Sequence, residues 1–580
     1  MRYHLWIYTA LAAATGLSGS FASAQDFVSP EAATGRYQKS GGEAKKFLVA
    51  AANPLAVKAG VDILKAGGSA ADAAVAVQTV LNMVEPQSSG IGGGSFILFW
   101  DNKAKKLTTY DGRETAPAAA TERRFLTAEG KSMDRTTAVI GGHSVGVPGT
   151  LRVLELAQKK HGKLTWAKLF NPAIKIATDG FALSPRVHEL IAGDRSLNKL
   201  EPAKSFFYQT DGTAKAVGTI IKNPAFAATL KTIATKGADA FYTGLIAADI
   251  VRAATTAAIN PSDITLADLK SYKAIERAPI CLPYRDRKVC GMAPPTSGGV
   301  GVLQTLAMLE PFDLAQMGPD SAKSQHVYIE ASRLTFADRA VYIADPDLLP
   351  IPTAELLSPD YLKSRAQLIK LDQRMTTAEA GQLPKKAALN WSPAASPEKK
   401  STSHFSIVDA DGNAVAMTTS IEGGFGSHVM VDGFLLNNTL TDFSYSDIAS
   451  GKTVANAVGP NKRPRSSMAP TVVFDKDGKL EMVVGSPGGP AIVGFVAQTL
   501  IGMIDWNMTP QDAIALPHVV VFGNAVNIEP ELALIKAELE ALGHQVRVGE
   551  FPSGIHAIRI TANGLLGGAD PRREGTVGGE

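Results

Sequence analysis

Near residue 402 the hydrophobic pattern of this chain changes period, and few architectures accommodate such a change. Upstream, "NPLAVKAGVDILKAGGSAADAAVAVQTVLNMVEP" (53–86) reads as two helices. Val57, Val61 and Leu64 keep helical spacing, and Gly67-Gly68 supplies a C-cap and turn. Residues 72–84 are Ala/Val-rich on nearly every side, as in a helix buried between layers. The stretch "SFILFW" (95–100) reads as a strand; 140–280 and 301–339 read as mostly helical. Downstream, 405–409 and 414–420 alternate about Asp411-Gly412, a pair suited to a type I′ turn. More strands are expected near 432–437, 470–474 and 480–485, helices near 491–505 and 530–542, and a last strand near 555–560. Helices, strands, strands, helices: the order predicts an α/β (α+β) chain with sheets stacked between helical layers.

Composition narrows the function classes. With 580 residues, 45% hydrophobic and 19% charged, the chain has the balance of a globular protein with a large core. A net charge of +3 gives no clustered basic footprint for nucleic acid. Residues 1–24 read as a signal peptide: Arg2, an apolar stretch over 5–17, and Ala22-Ser23-Ala24 before a cut at Gln25. No other apolar run reaches the ~18 residues of a membrane span, so the expected location is periplasmic or secreted. Export bears on Cys281 and Cys290, which flank "LPYRDRKV". A turn at Arg285-Asp286 places them opposite each other, where a disulfide forms in an oxidising compartment; two buried free thiols are the alternative. Residues 376–400 are rich in Ala, Pro, Lys and Ser without periodicity and read as an exposed linker.

The join between linker and hairpin is Ser401-Thr402-Ser403. With Asp411-Gly412 as the turn, residues summing to 823 face each other: Ser403 opposite Ser420, Ser401 opposite Glu422. Thr402 is then surrounded by hydroxyls and a carboxylate. A threonine so placed can attack its own preceding carbonyl, shift the acyl group from nitrogen to oxygen, and let water release a new N-terminus. The freed α-amine, with a reference pKa of ~7.7–8, can then take the hydroxyl proton. Read alone, Ser-Thr-Ser-His is loop. His404 reads as a structural histidine. "GIGGGS" (90–95) leads into a strand and lacks the Lys-Ser/Thr pair of a phosphate loop. No His, Cys, Asp or Glu spacing points to a metal, and no cofactor is expected.

Further motifs join this one: "VEPQSSGIGGGSF" (84–96), "YDGRETAP" (110–117), "GVPGT" (146–150), "PPTSGG" (294–299), "FADRAVYIADPD" (336–347), "TSHFSIVDADGNAVAMT" (402–418), "NAVGPNKRPRSSMAPT" (456–471), "GSPGG" (485–489) and "GGADPRREG" (567–575). Together and in order they resemble the γ-glutamyltranspeptidases (glutathione hydrolases), which are N-terminal-nucleophile hydrolases. The resemblance implies a four-layer αββα sandwich made of two chains from one self-cleaved precursor, a large subunit 25–401 and a small catalytic subunit 402–580. It implies a cut between Ser401 and Thr402, Thr402 as nucleophile, Ser420 as its assisting hydroxyl, and Gly488 and Gly489 as oxyanion donors. It implies that Arg113, Ser466 and Ser467 hold the α-carboxylate of a γ-glutamyl group while Glu422 and Asp442 hold its α-ammonium. The physics of the residue types agrees: an Arg fork suits a carboxylate, and two carboxylates suit one ammonium.

Two departures stand out. Thr439 occupies a position in "NNTLTDF" where the family usually carries Glu or Gln, and 443–456 is short beside members that fold a lid over the pocket. The first implies looser γ-glutamyl selectivity, and the second implies an open site in which hydrolysis outruns transfer to an amino acid or peptide amine. Glutathione is the expected substrate. The competing readings are a glutaryl- or cephalosporin-type acylase, against which Glu422 and Asp442 argue, and an uncleaved periplasmic binding protein.

Overall fold

Two seven-stranded antiparallel sheets lie face to face between helical layers in the computed structural model, which describes residues 35–384, 390–394, 401–446, 448–449 (backbone only) and 451–580. The segment 1–24 and the linker residues 385–389 and 395–400 fall outside the described residues. The first sheet runs in the order Thr576–Gly579, Leu48–Ala51, Ser403–Val408, Ala414–Ser420, Gly94–Asp101, Lys106–Gly112, Ile275–Arg277. The second runs Gly42–Ala44, Gly564–Ala569, His556–Thr561, Leu480–Gly485, Thr471–Phe474, Arg287–Gly291, Ile280–Tyr284. Each sheet therefore mixes strands from both sides of residue 402.

Alternation explains the layering. In the first sheet Val49, Ala51, Ile97, Phe99, Phe405, Ile407, Val415 and Met417 pack on the outer helices. Leu48, Ala50, Phe96, Leu98, Trp100, Val408, Ala414 and Ala416 point the other way, into the core shared with the second sheet. A strand apolar on both faces is stable only when both are covered. Helix Ala70–Val84 covers one side, buried along its whole length and started by a Ser69/Asp72 capping box. Helices Gly298–Leu309 and Ile492–Ile504 cover the outer side of the second sheet, with Ala322–Tyr342 behind the first of them. The result is the αββα sandwich. Among the described residues no helix is long and apolar enough to cross a membrane.

The hairpin register differs from the expected one. Ser403 faces Thr419, not Ser420, because Asp409 and Asn413 close a three-residue loop with Gly412 at φ 78°. A type I turn followed by a left-handed glycine replaces the two-residue turn and moves the ladder by one. Beyond the strand end the pairing changes again, and Ser401 N–H donates to Glu422 O at 3.0 Å. Strands Leu48–Ala51, Gly564–Ala569 and Thr576–Gly579 lie outside the expected set, so 555–560 is not the last strand. The linker is not uniformly exposed: Leu383, Ser392 and Ala394 are buried, and Ser392 N–H donates to Thr453 O. Cys281 and Cys290 face each other across the two-residue turn Arg285-Asp286 and are joined by a disulfide.

Candidate active site

The end of strand Ala414–Ser420 and the start of Ser403–Val408 meet at one end of the central hairpin of the first sheet. Ser401 O accepts hydrogen bonds from Thr402 Oγ1 (2.5 Å) and from Ser420 Oγ (2.7 Å). Thr402 Oγ1 is also 3.1 Å from Ser420 Oγ, which in turn accepts the Glu422 N–H at 2.9 Å. Glu422 sits at φ 79°, a conformation unusual for a residue with a side chain, and one that over-determined sites hold. Ser401 Oγ donates to Gln87 O, while Arg573 Nη1 donates to Thr402 O at 3.3 Å. The Ser401–Thr402 peptide is thus gripped on both sides and buried; Thr402 is 3% exposed.

The glycine clusters have local reasons. A Cβ on Gly93 would lie 2.1 Å from Ser420 O, so "GIGGGS" lets one backbone pass directly against the hydroxyl-bearing strand. Gly485, ending strand Leu480–Gly485, leaves room for the His404 ring, two residues after Thr402. Ser406 Oγ donates to Val483 O, so strand Leu480–Gly485 of the second sheet stacks on Ser403–Val408 of the first, and the loop 486–489 leaves from its end. Pro487 abuts Gly554 and Arg573, the residue holding Thr402 O. Gly488 (φ 130°) and Gly489 (φ 56°) both need positive φ, and a Cβ on Gly488 would strike Phe495 at 2.7 Å. His404 is bonded to Thr418 Oγ1 and Ser406 Oγ, and burial drives its pKa well below the usual imidazole value. It is a neutral structural group.

A second group of residues lies beside the first. Arg113 Nη2 is 2.5 Å from Asp442 Oδ2 and donates to Arg465 O at 3.0 Å; its Nε donates to Pro464 O at 3.1 Å. These bonds tie the Arg113 loop to the segment carrying Ser466 and Ser467. Ser467 Oγ accepts from Arg339 Nη2 at 2.8 Å, and Ser466 Oγ accepts the Met468 N–H at 3.2 Å. Glu422 Oε1 pairs with Arg135 Nη2 at 3.1 Å, and its other oxygen accepts from Asn438 Nδ2. Thr439 does not stand idle where an acceptor was expected: its hydroxyl donates to Glu114 Oε1 at 2.7 Å. Glu114 is fully buried, and burial raises its carboxyl pKa.

Ser401, Thr402, Ser420 and Glu422 form the first group and Arg113, Asp442, Ser466 and Ser467 the second, linked through Glu422, Asn438, Thr439 and Glu114; Gly488 and Gly489 follow Pro487, and Cys281–Cys290 lies apart at the edge of the second sheet. The expected open pocket is not what the unbroken chain has, since Arg113, Asp442 and Glu422 are 1%, 3% and 4% exposed. The short stretch after Asp442 still covers them: Phe443 is buried and Tyr445 stacks on Phe125 at 4.7 Å. Sequence reasoning assigned no role to Glu114, Asn438, Gln87, Arg339 or Arg573, although all lay inside quoted stretches. Arg135 carried no signal, being one cation in a short polar run. Among the described residues no group of three or more His, Cys, Asp or Glu is arranged for a metal.

A profile of known families matches residues 56–579 to the family described as Gamma-glutamyltranspeptidase. This chain belongs to the γ-glutamyltranspeptidase family. It is 38% identical to a glutathione hydrolase proenzyme of Bacillus subtilis (strain 168) over 549 residues, 92% of this chain and 91% of the relative. Among solved structures, a cephalosporin acylase from Bacillus halodurans superposes with a TM-score of 0.83 at 28% identity, covering 96% of this chain and 99% of that one. A γ-glutamyltranspeptidase chain from Helicobacter pylori superposes with a TM-score of 0.54 at 32% identity, covering 59% of this chain and 94% of its own. The chain is accordingly an enzyme of glutathione hydrolase type, with the sandwich fold of the N-terminal-nucleophile hydrolases.

Proposed function

We propose that the chain is an exported proenzyme that cuts itself between Ser401 and Thr402 and then uses Thr402 as an N-terminal nucleophile on γ-glutamyl amides, glutathione foremost. The observation that carries this reading is the pair of hydroxyls on one carbonyl, Thr402 Oγ1 and Ser420 Oγ on Ser401 O. In the cut, Thr402 Oγ attacks the Ser401 carbonyl carbon while Ser420 donates to its oxygen. The C–N bond breaks with proton transfer to nitrogen, leaving an ester on Thr402 Oγ and a free α-amine; water hydrolyses the ester to a Ser401 carboxylate and a free hydroxyl. In turnover the neutral amine takes the Thr402 hydroxyl proton, Oγ attacks the γ-carbonyl, and the proton leaves with the departing amine. Water or an acceptor amine then resolves the γ-glutamyl ester.

In this reading the Gly488 and Gly489 N–H groups receive the oxyanion. Arg113 with Ser466 and Ser467 takes the α-carboxylate, and Asp442 and Glu422 take the α-ammonium. The interleaved sheets support two subunits, 25–401 and 402–580, that stay associated, because the cut breaks no ladder bond and each sheet draws strands from both. The Cys281–Cys290 disulfide supports export to an oxidising compartment, periplasm or exterior. A glutaryl-type acylase is the second reading, favoured by one observation: Asp442 and Glu422 already face guanidinium groups of the protein. Purified protein given glutathione and γ-glutamyl-p-nitroanilide tests the first reading; absence of glutamate release from both contradicts it.

A further inference from the structure

The acyl end of the site carries two closed ion pairs where a γ-glutamyl group would bring one carboxylate and one ammonium. Arg113 pairs with Asp442 and is anchored by the Pro464 and Arg465 carbonyls, so this pair is built into the wall. The other pair is of a different kind. Arg135 opens the short helix Arg135–Val139, and its side chain is 19% exposed against 3% for its partner Glu422. It covers the acid from the rim. Its Nε and Nη1 are buried with no hydrogen-bond partner among the described residues. It therefore neutralises the acid whose backbone N–H rests on Ser420 and keeps spare donors on the same guanidinium.

An incoming α-ammonium must compete with Arg135 for Glu422 in a nearly dry site, where such interactions are strong. An acyl group that has a carboxylate and no ammonium leaves the pair closed and has no need to displace Arg135 from Glu422. We propose that Arg135 is a specificity-determining residue that, by capping Glu422, admits acyl donors lacking an α-ammonium, so that glutaryl amides are taken alongside γ-glutamyl amides. This rests on the reading of Thr402 as nucleophile and of this end of the site as the acyl pocket. A pair that merely pinned the fold would affect both donor types alike.

The test compares the mature wild type with Arg135→Ala, Arg135→Lys and Glu422→Gln. It reads kcat/KM for γ-glutamyl- and glutaryl-p-nitroanilide and, by calorimetry, Kd for L-glutamate and glutarate. In the wild type the two donors are expected within about tenfold of each other. Arg135→Ala is expected to raise the γ-glutamyl preference, and the preference for glutamate over glutarate, by about tenfold or more. Arg135→Lys should stay near wild type, and Glu422→Gln should move both ratios the other way. Equal changes for both donors in Arg135→Ala, with the acid affinities unmoved relative to each other, overturn the proposal. If neither anilide is turned over, the nucleophile reading has failed; the glutamate-to-glutarate affinity ratio then decides Arg135 by itself, a shift supporting its role and no shift overturning it.

Discussion

Replacing Ser420 with alanine removes a donor 2.7 Å from the Ser401 carbonyl oxygen, and an acceptor used by the Thr402 hydroxyl and the Glu422 N–H. That carbonyl oxygen becomes an oxyanion as Thr402 attacks, so the lost donor is worth about 3 kcal/mol of barrier, or roughly 100-fold in rate. The attacking Thr402 hydroxyl stays beside the Ser401 carbonyl, so cleavage is slowed and not abolished. The stranded Glu422 N–H is buried and costs about 1–3 kcal/mol of stability, seen as a lower melting temperature. Ser420→Thr keeps the hydroxyl and should keep most of the rate. The assay is a time course of freshly purified precursor on a denaturing gel, following one band into two. A Ser420→Ala half-time equal to wild type would refute the role given to this hydroxyl, whatever the melting temperature does.

Other consequences follow from buried groups nearby. Burial raises the Glu85 carboxyl from 4.5 to about 7, with Arg573 only partly offsetting it. Between those values the native chain holds a proton that the unfolded chain has released, so stability falls as pH rises through this window, by about 3 kcal/mol in all. Glu85→Gln should flatten that slope in urea unfolding midpoints taken at pH 5 and pH 8. Arg113→Met takes from the buried Asp442 carboxylate its guanidinium partner at 2.5 Å; about 3–5 kcal/mol of stability should go. The same change should cut kcat/KM for γ-glutamyl-p-nitroanilide by about 100-fold or more. Cys290→Ser opens a crosslink of sequence separation 9 at a sheet edge and should cost about 2 kcal/mol, with anilide turnover unchanged.

The layered fold was legible where apolar residues kept a period, as in Ala70–Val84 and the hairpin strands. It was illegible in Leu48–Ala51 and Thr576–Gly579, whose "LVAA" and "TVGG" are too short to show alternation although both pair inside the first sheet. The hairpin register failed by one because Asp-Gly serves both a two-residue turn and the end of a three-residue loop. Candidate site residues could be named from dense motifs. Their pairings could not: Arg113 and Asp442 are 329 positions apart, and nothing local announces their contact. Thr439 looked like a lost acceptor because its partner Glu114 became visible only in space. Arg135 sits in an ordinary polar run and gains meaning solely from facing Glu422.

The proposed mechanism requires that Thr402 become a chain terminus. N-terminal sequencing of the smaller band from purified wild type, beside Thr402→Ala prepared identically, asks this directly. The expected result is a wild-type fragment beginning Thr-Ser-His-Phe and a Thr402→Ala protein that remains one chain. An active wild-type protein with no such terminus, or a Thr402→Ala protein cut at the same bond, would contradict the mechanism.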